Sequence, residues 1–254
     1  MPTQTDVEME RMDRSMEQDR VEGRNAILGA LPEEEWQLVR ERCQRVSFHE
    51  GKILQPAGAP CEWLFFPTGA ALSLMAVTQE GLSIETGLIG QEGMVGLRQL
   101  FGYQNQSLEC MVQHGGTVCQ LSLSWLRRAS LPVFHELVLR YAGYRLGELA
   151  QTSICNRFHL VRQRLSRWLL TAGDRTGKQE LEFTQEMLSA MVGARRPVVT
   201  SLIGRMQSEG LIEYRRGCLI IQDRSGLETA SCECYAILCD ALAEYLRGLP
   251  SRQS

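Results

Sequence analysis

Hydrophobic and polar positions fall into several textures along the chain. Residues 1–24 are polar, with many methionines and charges, and predict a flexible N-terminal arm. Asn25 is placed to cap a short helix through Leu31, and Pro32 with Glu33, Glu34 and Glu35 to open a second one. From about Val46 to Leu126, short apolar or alternating runs recur: CEWLFFP from Cys61, then ALSLMAV, SIETGLI, ECMVQ and TVCQLSL. Glycines punctuate them at 51, 58, 69, 81, 87, 90, 93, 96, 102, 115 and 116. Short strands with glycine turns predict an antiparallel sandwich, barrel or roll.

Past residue 130 the period becomes helical. Residues 131–156, LPVFHELVLRYAGYRLGELAQTSICN, predict one long helix with two apolar stripes. One stripe is Phe134, Leu137, Tyr141 and Tyr144; the other is Leu139, Ala142, Leu146 and Leu149. Two stripes imply two buried faces. Either one face meets the β body and the other a second copy, or the helix lies wholly inside a single-chain core. RFHLVRQRLSRWLL continues with Phe158, Val161, Leu165 and Leu169 at helical spacing, and AGDRTGKQE reads as a polar loop.

The stretch TQEMLSAMVGARRPVVTSLIGRMQSEGLI, from Thr184, carries the most specific pattern. Thr184 suits the N-cap of a helix over Gln185–Met191, whose Leu188 and Val192 face a small core. Gly193 can end that helix in the left-handed conformation. A second helix then opens with Arg195, Arg196 and Pro197, proline being tolerated only in the first turn. This is helix-turn-helix patterning, whose second helix enters a major groove by its N-terminal residues. Arg195 and Arg196 offer guanidinium forks to phosphate and guanine, and Thr200, Ser201, Gly204 and Arg205 share the exposed face. The β runs Ile212–Tyr214 and Leu219–Ile221 flank Arg215, Arg216 and Gly217, so a hairpin with a basic tip follows, as in a winged helix.

Charge sharpens this reading. The net charge is −3, yet residues 156–224 hold twelve arginines and lysines against seven acids. A basic segment on an acidic body suits one module that meets phosphate. An apolar fraction of 44% supports a packed core, and no apolar run reaches membrane-spanning length. Without a signal-like N-terminus, the nine cysteines are expected to be reduced thiols and the protein cytoplasmic. No Gly-rich phosphate loop, HExxH or GxSxG occurs, so no catalytic residue is assigned.

The order of parts resembles the Crp/Fnr family of bacterial transcription regulators. The resemblance rests on FFPTG (Phe65–Gly69), GLIGQEGMVG (Gly87–Gly96), CNRFHLVRQRLSRWLL (Cys155–Leu170), TQEMLSAMVGARRPVV (Thr184–Val199) and EGLIEYRRGCLIIQDRSGLE (Glu209–Glu228). It implies an α+β fold: an N-terminal double-stranded β-helix (a β-roll of cyclic-nucleotide-binding type), a long dimerisation helix and a C-terminal winged helix-turn-helix. The implied divisions are a flexible arm (1–24), a β-roll sensor (25–130), the dimerisation helix (131–156), the DNA-binding domain (157–231) and a C-terminal helix and tail (232–254).

The resemblance also implies partners: double-stranded promoter DNA, a second copy of the chain through the 131–156 helix, and RNA polymerase. By position, Arg196 matches the family's guanine-reading arginine. Pro197 stands where glutamate is frequent and Ser201 where a later arginine falls, so the usual half-site sequence does not transfer. Glu92 and Gly93 match part of the family's effector-binding turn. The arginine that neutralises a cyclic phosphate is missing, since none lies between Arg98 and Arg127. Cyclic AMP is therefore not expected, and the small-molecule effector is unidentified. An iron–sulfur cluster is not expected either, because no cysteine precedes Cys43. Cys232, Cys234 and Cys239 form a local thiol cluster on an expected helix over Cys232–Leu246; three thiols alone are read as structural, and no metal is assigned. The competing reading is a ligand-binding or redox-sensing scaffold without productive DNA binding.

Overall fold

A computed structural model describes residues 25–105 and 107–250. The expected N-terminal arm, residues 1–24, lies outside the described residues. The chain opens with α1 (Ala26–Gly29) and α2 (Glu33–Arg40). Seven strands follow: β1 (Gln44–Phe48), β2 (Ile53–Gln55), β3 (Trp63–Pro67), β4 (Ala71–Val77), β5 (Ser83–Ile89), β6 (Glu109–His114) and β7 (Gly116–Ser122). A turn of helix, α3 (Leu97–Leu100), precedes β6, and another, α4 (Leu123–Leu126), follows β7.

These strands form two antiparallel sheets, ordered β1-β7-β3 and β2-β6-β4-β5. Phe65, Leu72, Ile89, Val112 and Val118 fill the space between them, which is the roll expected from the glycine-punctuated runs. Asn25 fastens the entry to this body. Its side-chain oxygen caps α1 by accepting from the amides of Ile27 and Leu28, while its Nδ2 donates to the carbonyls of Pro67 (3.0 Å) and Gly93 (2.8 Å).

Helix α5 (Pro132–Phe158) is the long element of the chain. Its stripe of Phe134, Leu137, Tyr141 and Tyr144 packs with Trp36, Leu64 and Phe66. The second stripe is unfilled within one chain: Leu139 is 61% exposed and Leu146 69%. The chain then breaks at His159 and Leu160 before α6 (Val161–Thr176). This break corrects the expected continuity of the apolar spacing. Phe158 ends α5 with its ring exposed, whereas Leu165 and Leu169 are buried on α6. Helix α6 also extends into the stretch read as a loop, carrying Arg175 into the interior.

The C-terminal module comprises β8 (Glu180–Glu182), α7 (Gln185–Val192), α8 (Arg196–Ser208), β9 (Ile212–Arg215), β10 (Cys218–Ile221), α9 (Arg224–Ala230) and α10 (Cys234–Arg247). Its core continues into the outer face of the β4–β5 sheet: Met75 and Leu88 join Trp168, Phe183, Leu188, Val199 and Leu219 in one cluster. Helix α10 crosses back over α5, where the Tyr245 ring stacks on Tyr144 with centroids 5.1 Å apart.

The cysteines depart from expectation. Cys43 and Cys119 are joined as a disulfide, and the other seven are free. The β1–β7 pairing brings Cys43, just ahead of β1, across to Cys119 on the neighbouring strand, a proximity that only strand register could reveal.

Candidate nucleic-acid interface

Thr184 caps α7: its hydroxyl oxygen accepts from the Met187 amide at 3.1 Å. Gly193 closes the helix at φ 59°, ψ 46°, the left-handed region that a side chain enters at a cost. Space is short there too, since a Cβ on Gly193 would lie 2.7 Å from Ile84 Cδ1 on β5. One residue therefore serves both the turn and the docking of the module on the roll.

Arg195 is the N-cap of α8 and Pro197 occupies its first turn. Val199, Leu202, Ile203 and Met206 face inward, while Arg195, Arg196, Pro197, Thr200, Ser201 and Arg205 are exposed. Two cations at the positive end of a helix oppose its dipole, so their placement is not explained by helix stability. Pro197 brings no amide to this turn and the Val198 and Val199 amides donate to the Arg195 carbonyl, so the positive character exposed here comes from the two guanidinium groups. Their protein contacts are slight: Arg196 Nη1 is 3.8 Å from Glu186 Oε2, and both side chains are well exposed. Thr200 is committed more firmly, donating through Oγ1 to Gln185 Oε1 at 2.6 Å and tying the two helices together.

Strands β8, β10 and β9 form a three-stranded antiparallel wing. Its tip is a two-residue turn, Arg216 at φ 50° and Gly217 at φ 86°, as a tight hairpin requires. Arg215 and Arg216 are exposed at that tip, with Arg215 Nε 2.5 Å from Glu213 Oε1. Strand β8 was missed by sequence reasoning, because ELE is too short and charged to announce a strand.

A groove of about 670 Å³ separates the first turn of α8 from the β4–β5 hairpin; Arg195 and Arg196 line one side and Thr78, Leu82 and Ile84 the other. The candidate interface thus adjoins the β-roll.

Glu92 and Gly93 do not line this groove. They sit where four parts of the chain meet. The Glu92 carboxylate accepts from the Gly90 amide and lies 3.3 Å from Arg175 Nη1 on α6. Arg175 also donates to the Tyr144 hydroxyl at 2.6 Å and approaches Glu148 at 3.7 Å, both on α5. Glu148 pairs in turn with Arg145, whose Nη2 donates to the Thr86 carbonyl on β5. The Tyr245 hydroxyl on α10 donates to the Glu92 carbonyl at 3.1 Å. Gly93 is backed directly by the Tyr141 ring, leaving no room for a side chain. The neighbouring carboxylates favour the charged guanidinium of Arg175 against the desolvation that opposes it.

The fold is Crp/Fnr-like: an N-terminal β-roll, a long helix and a C-terminal helix-turn-helix with a wing. Residues 163–230 match the Crp-like helix-turn-helix domain. The chain is 26% identical, over 194 residues, to the transcriptional regulator SdrP of Thermus thermophilus, covering 73% of this chain and 93% of that protein. Among solved structures, a crp/fnr-family transcriptional regulator from Eubacterium rectale superposes with a TM-score of 0.65 at 19% identity, over 80% of this chain and 95% of that one. The c-di-GMP-responsive global regulator CLP of Xanthomonas campestris superposes with a TM-score of 0.62 at 16% identity, over 74% of this chain and 97% of that one. No helix among the described residues is long and apolar enough to cross a membrane.

Proposed function

We propose that the chain is a homodimeric, sequence-specific DNA-binding transcription regulator. The observation that carries this reading is the pairing of exposed Arg195 and Arg196 at the start of α8 with exposed Arg215 and Arg216 at the wing tip. The helix would enter a major groove, where Arg196 reads a guanine and Pro197, Ser201 and Arg205 face the base edges. Arg195, Thr184 and the wing arginines would contact phosphates and set the register. The exposed stripe of α5, Leu139, Leu146 and Leu149, supports pairing with the same helix of a second copy. Twofold pairing places two recognition helices ~34–36 Å apart, which calls for a near-palindromic site. Bound at a promoter, such a dimer would act through RNA polymerase.

An unidentified small-molecule effector would act at the turn holding Glu92 and Gly93. A ligand that engages the Glu92 carboxylate must displace Arg175, and so couples occupancy of the roll to the position of α6. Mapping of bound genomic sites, followed by fluorescence anisotropy on one recovered fragment, tests the reading. Binding should prefer that fragment over scrambled duplex and fall steeply with salt. Equal binding to both duplexes would favour the scaffold reading.

A further inference from the structure

The break between α5 and α6 brings together four soft ligands from two distant stretches of chain. Cys155 and His159 stand one turn apart at the end of α5; Cys232 and Cys234 lead into α10. The Sγ atoms of Cys155 and Cys232 are 3.6 Å apart, and Cys234 Sγ is 3.4 Å from His159 Nδ1. All four ligand atoms lie within 4.8 Å of one another. Zinc–sulfur bonds of ~2.3 Å and zinc–nitrogen bonds of ~2.0 Å on a tetrahedron put neighbouring ligand atoms ~3.5–3.8 Å apart. The two edges of 3.6 and 3.4 Å lie close to that length, and none of the others exceeds 4.8 Å.

We propose that Cys155, His159, Cys232 and Cys234 form a tetrahedral Cys3His site for zinc that clamps the start of α10 to the α5–α6 break. The surroundings suit a metal better than plain packing. The three cysteines are buried in a cluster of their own, apart from the three larger cores. His159 turns Nδ1 toward sulfur while its Nε2 meets Glu233 Oε1 at 3.1 Å. A carboxylate on the far ring nitrogen holds the tautomer in which the near nitrogen is free to ligate. Gln151 Nε2 donates to Cys234 Sγ at 3.0 Å, a bond that spreads thiolate charge.

On binding, zinc would displace one proton from each thiol to solvent and take neutral His159 through Nδ1. Two positive and three negative charges leave the site at −1. Arg167 bears electrostatically on Cys155, and its buried Nε has no hydrogen-bond acceptor among the described residues, so a compensating cation is at hand. Cys239 stands outside the set, against Tyr235 and Asp174.

The clamp would fix the angle between the long helix and the DNA-binding module; this consequence rests on the proposed DNA-binding function, whereas the metal site does not. The test uses the reduced full chain without a histidine tag. Metal analysis and titration with zinc, in competition with a chromophoric chelator, should show one ion per chain. Cobalt in its place should give the intense visible bands of tetrahedral thiolate coordination. Cys155→Ser and Cys232→Ser should abolish them and Cys239→Ser should not. The wild-type chain, stripped by chelator and reloaded with cobalt, gives the same readout without any substitution. Absence of stoichiometric binding to the reduced wild-type chain would overturn the site, even if Cys155 and Cys232 form a disulfide in air. So would unchanged cobalt spectra in Cys232→Ser. If zinc binds but its removal leaves DNA affinity unchanged, the site stands and the clamp's role in DNA binding falls.

Discussion

Glu92 Oε2 lies 3.3 Å from Arg175 Nη1, with both side chains only 7% exposed. This ion pair joins a turn of the β-roll to the helix that leads into the DNA-binding module. Glu148 and Tyr144 of the long helix share the same guanidinium. The β-roll, the long helix and the module thus converge on one buried cation. A signal that reorders any of the three must repartition that charge.

Replacing Arg175 with methionine should therefore cost about 3–5 kcal/mol, because Glu92 would be left buried without its cation and Glu148 would keep Arg145 alone. Urea unfolding measures it. Adding Glu92→Gln to that variant should recover a large part of the loss. An unchanged midpoint in the single variant would show that the network carries no stability.

Gly193→Ala should destabilise the module by ~1–2 kcal/mol from the left-handed backbone alone. The contact with Ile84 Cδ1 adds to this. Ile84→Ala introduced alongside should relieve the contact and leave the backbone cost. Thermal unfolding of the single and double variants separates the two contributions.

Glu50, between the roll and the wing, supplies a pH dependence. Burial first, then the facing Glu182 carboxylate, raise it from 4.5 to about 7, with Lys178 opposing. A carboxyl with a raised folded pKa binds its proton more tightly in the folded state. Its contribution is full below about 4.5 and is lost as pH rises through about 7. The melting temperature should fall over that window, and Glu50→Gln should flatten the fall.

The fold's periodic parts were readable before any coordinates. FFP, ALSLMAV and TVCQLSL became β3, β4 and β7 because strands bounded by glycine turns leave a local signature. Thr184 and Gly193 marked the two ends of α7 through capping chemistry. Relationships between distant residues left no such trace. Arg175 read as part of a polar loop because nothing in GDRTG signals that two carboxylates and a tyrosine hydroxyl await it. The Cys232–Cys234 pair was visible as a local cluster, but Cys155 and His159, which the fold brings beside it, are spaced one helical turn apart in a segment rich in arginines.

Individual arginines should divide by role. Arg196→Ala should relax preference at one base pair, costing ~1–3 kcal/mol on the preferred duplex and little on others. Arg215→Ala should weaken every duplex alike and reduce the salt slope by about one. Parallel anisotropy titrations on the preferred site and its single-base variants distinguish the two.

In the proposed dimer, twofold pairing through α5 would present two basic recognition helices to one duplex. Light scattering of the protein, alone and bound to a recovered genomic fragment, combined with a Leu146→Glu substitution on the exposed stripe, tests it most directly. The account predicts two chains alone and two per duplex, with Leu146→Glu giving folded monomers that lose site preference. A wild-type chain that stays monomeric on DNA, or a monomeric variant that keeps full preference, would contradict it.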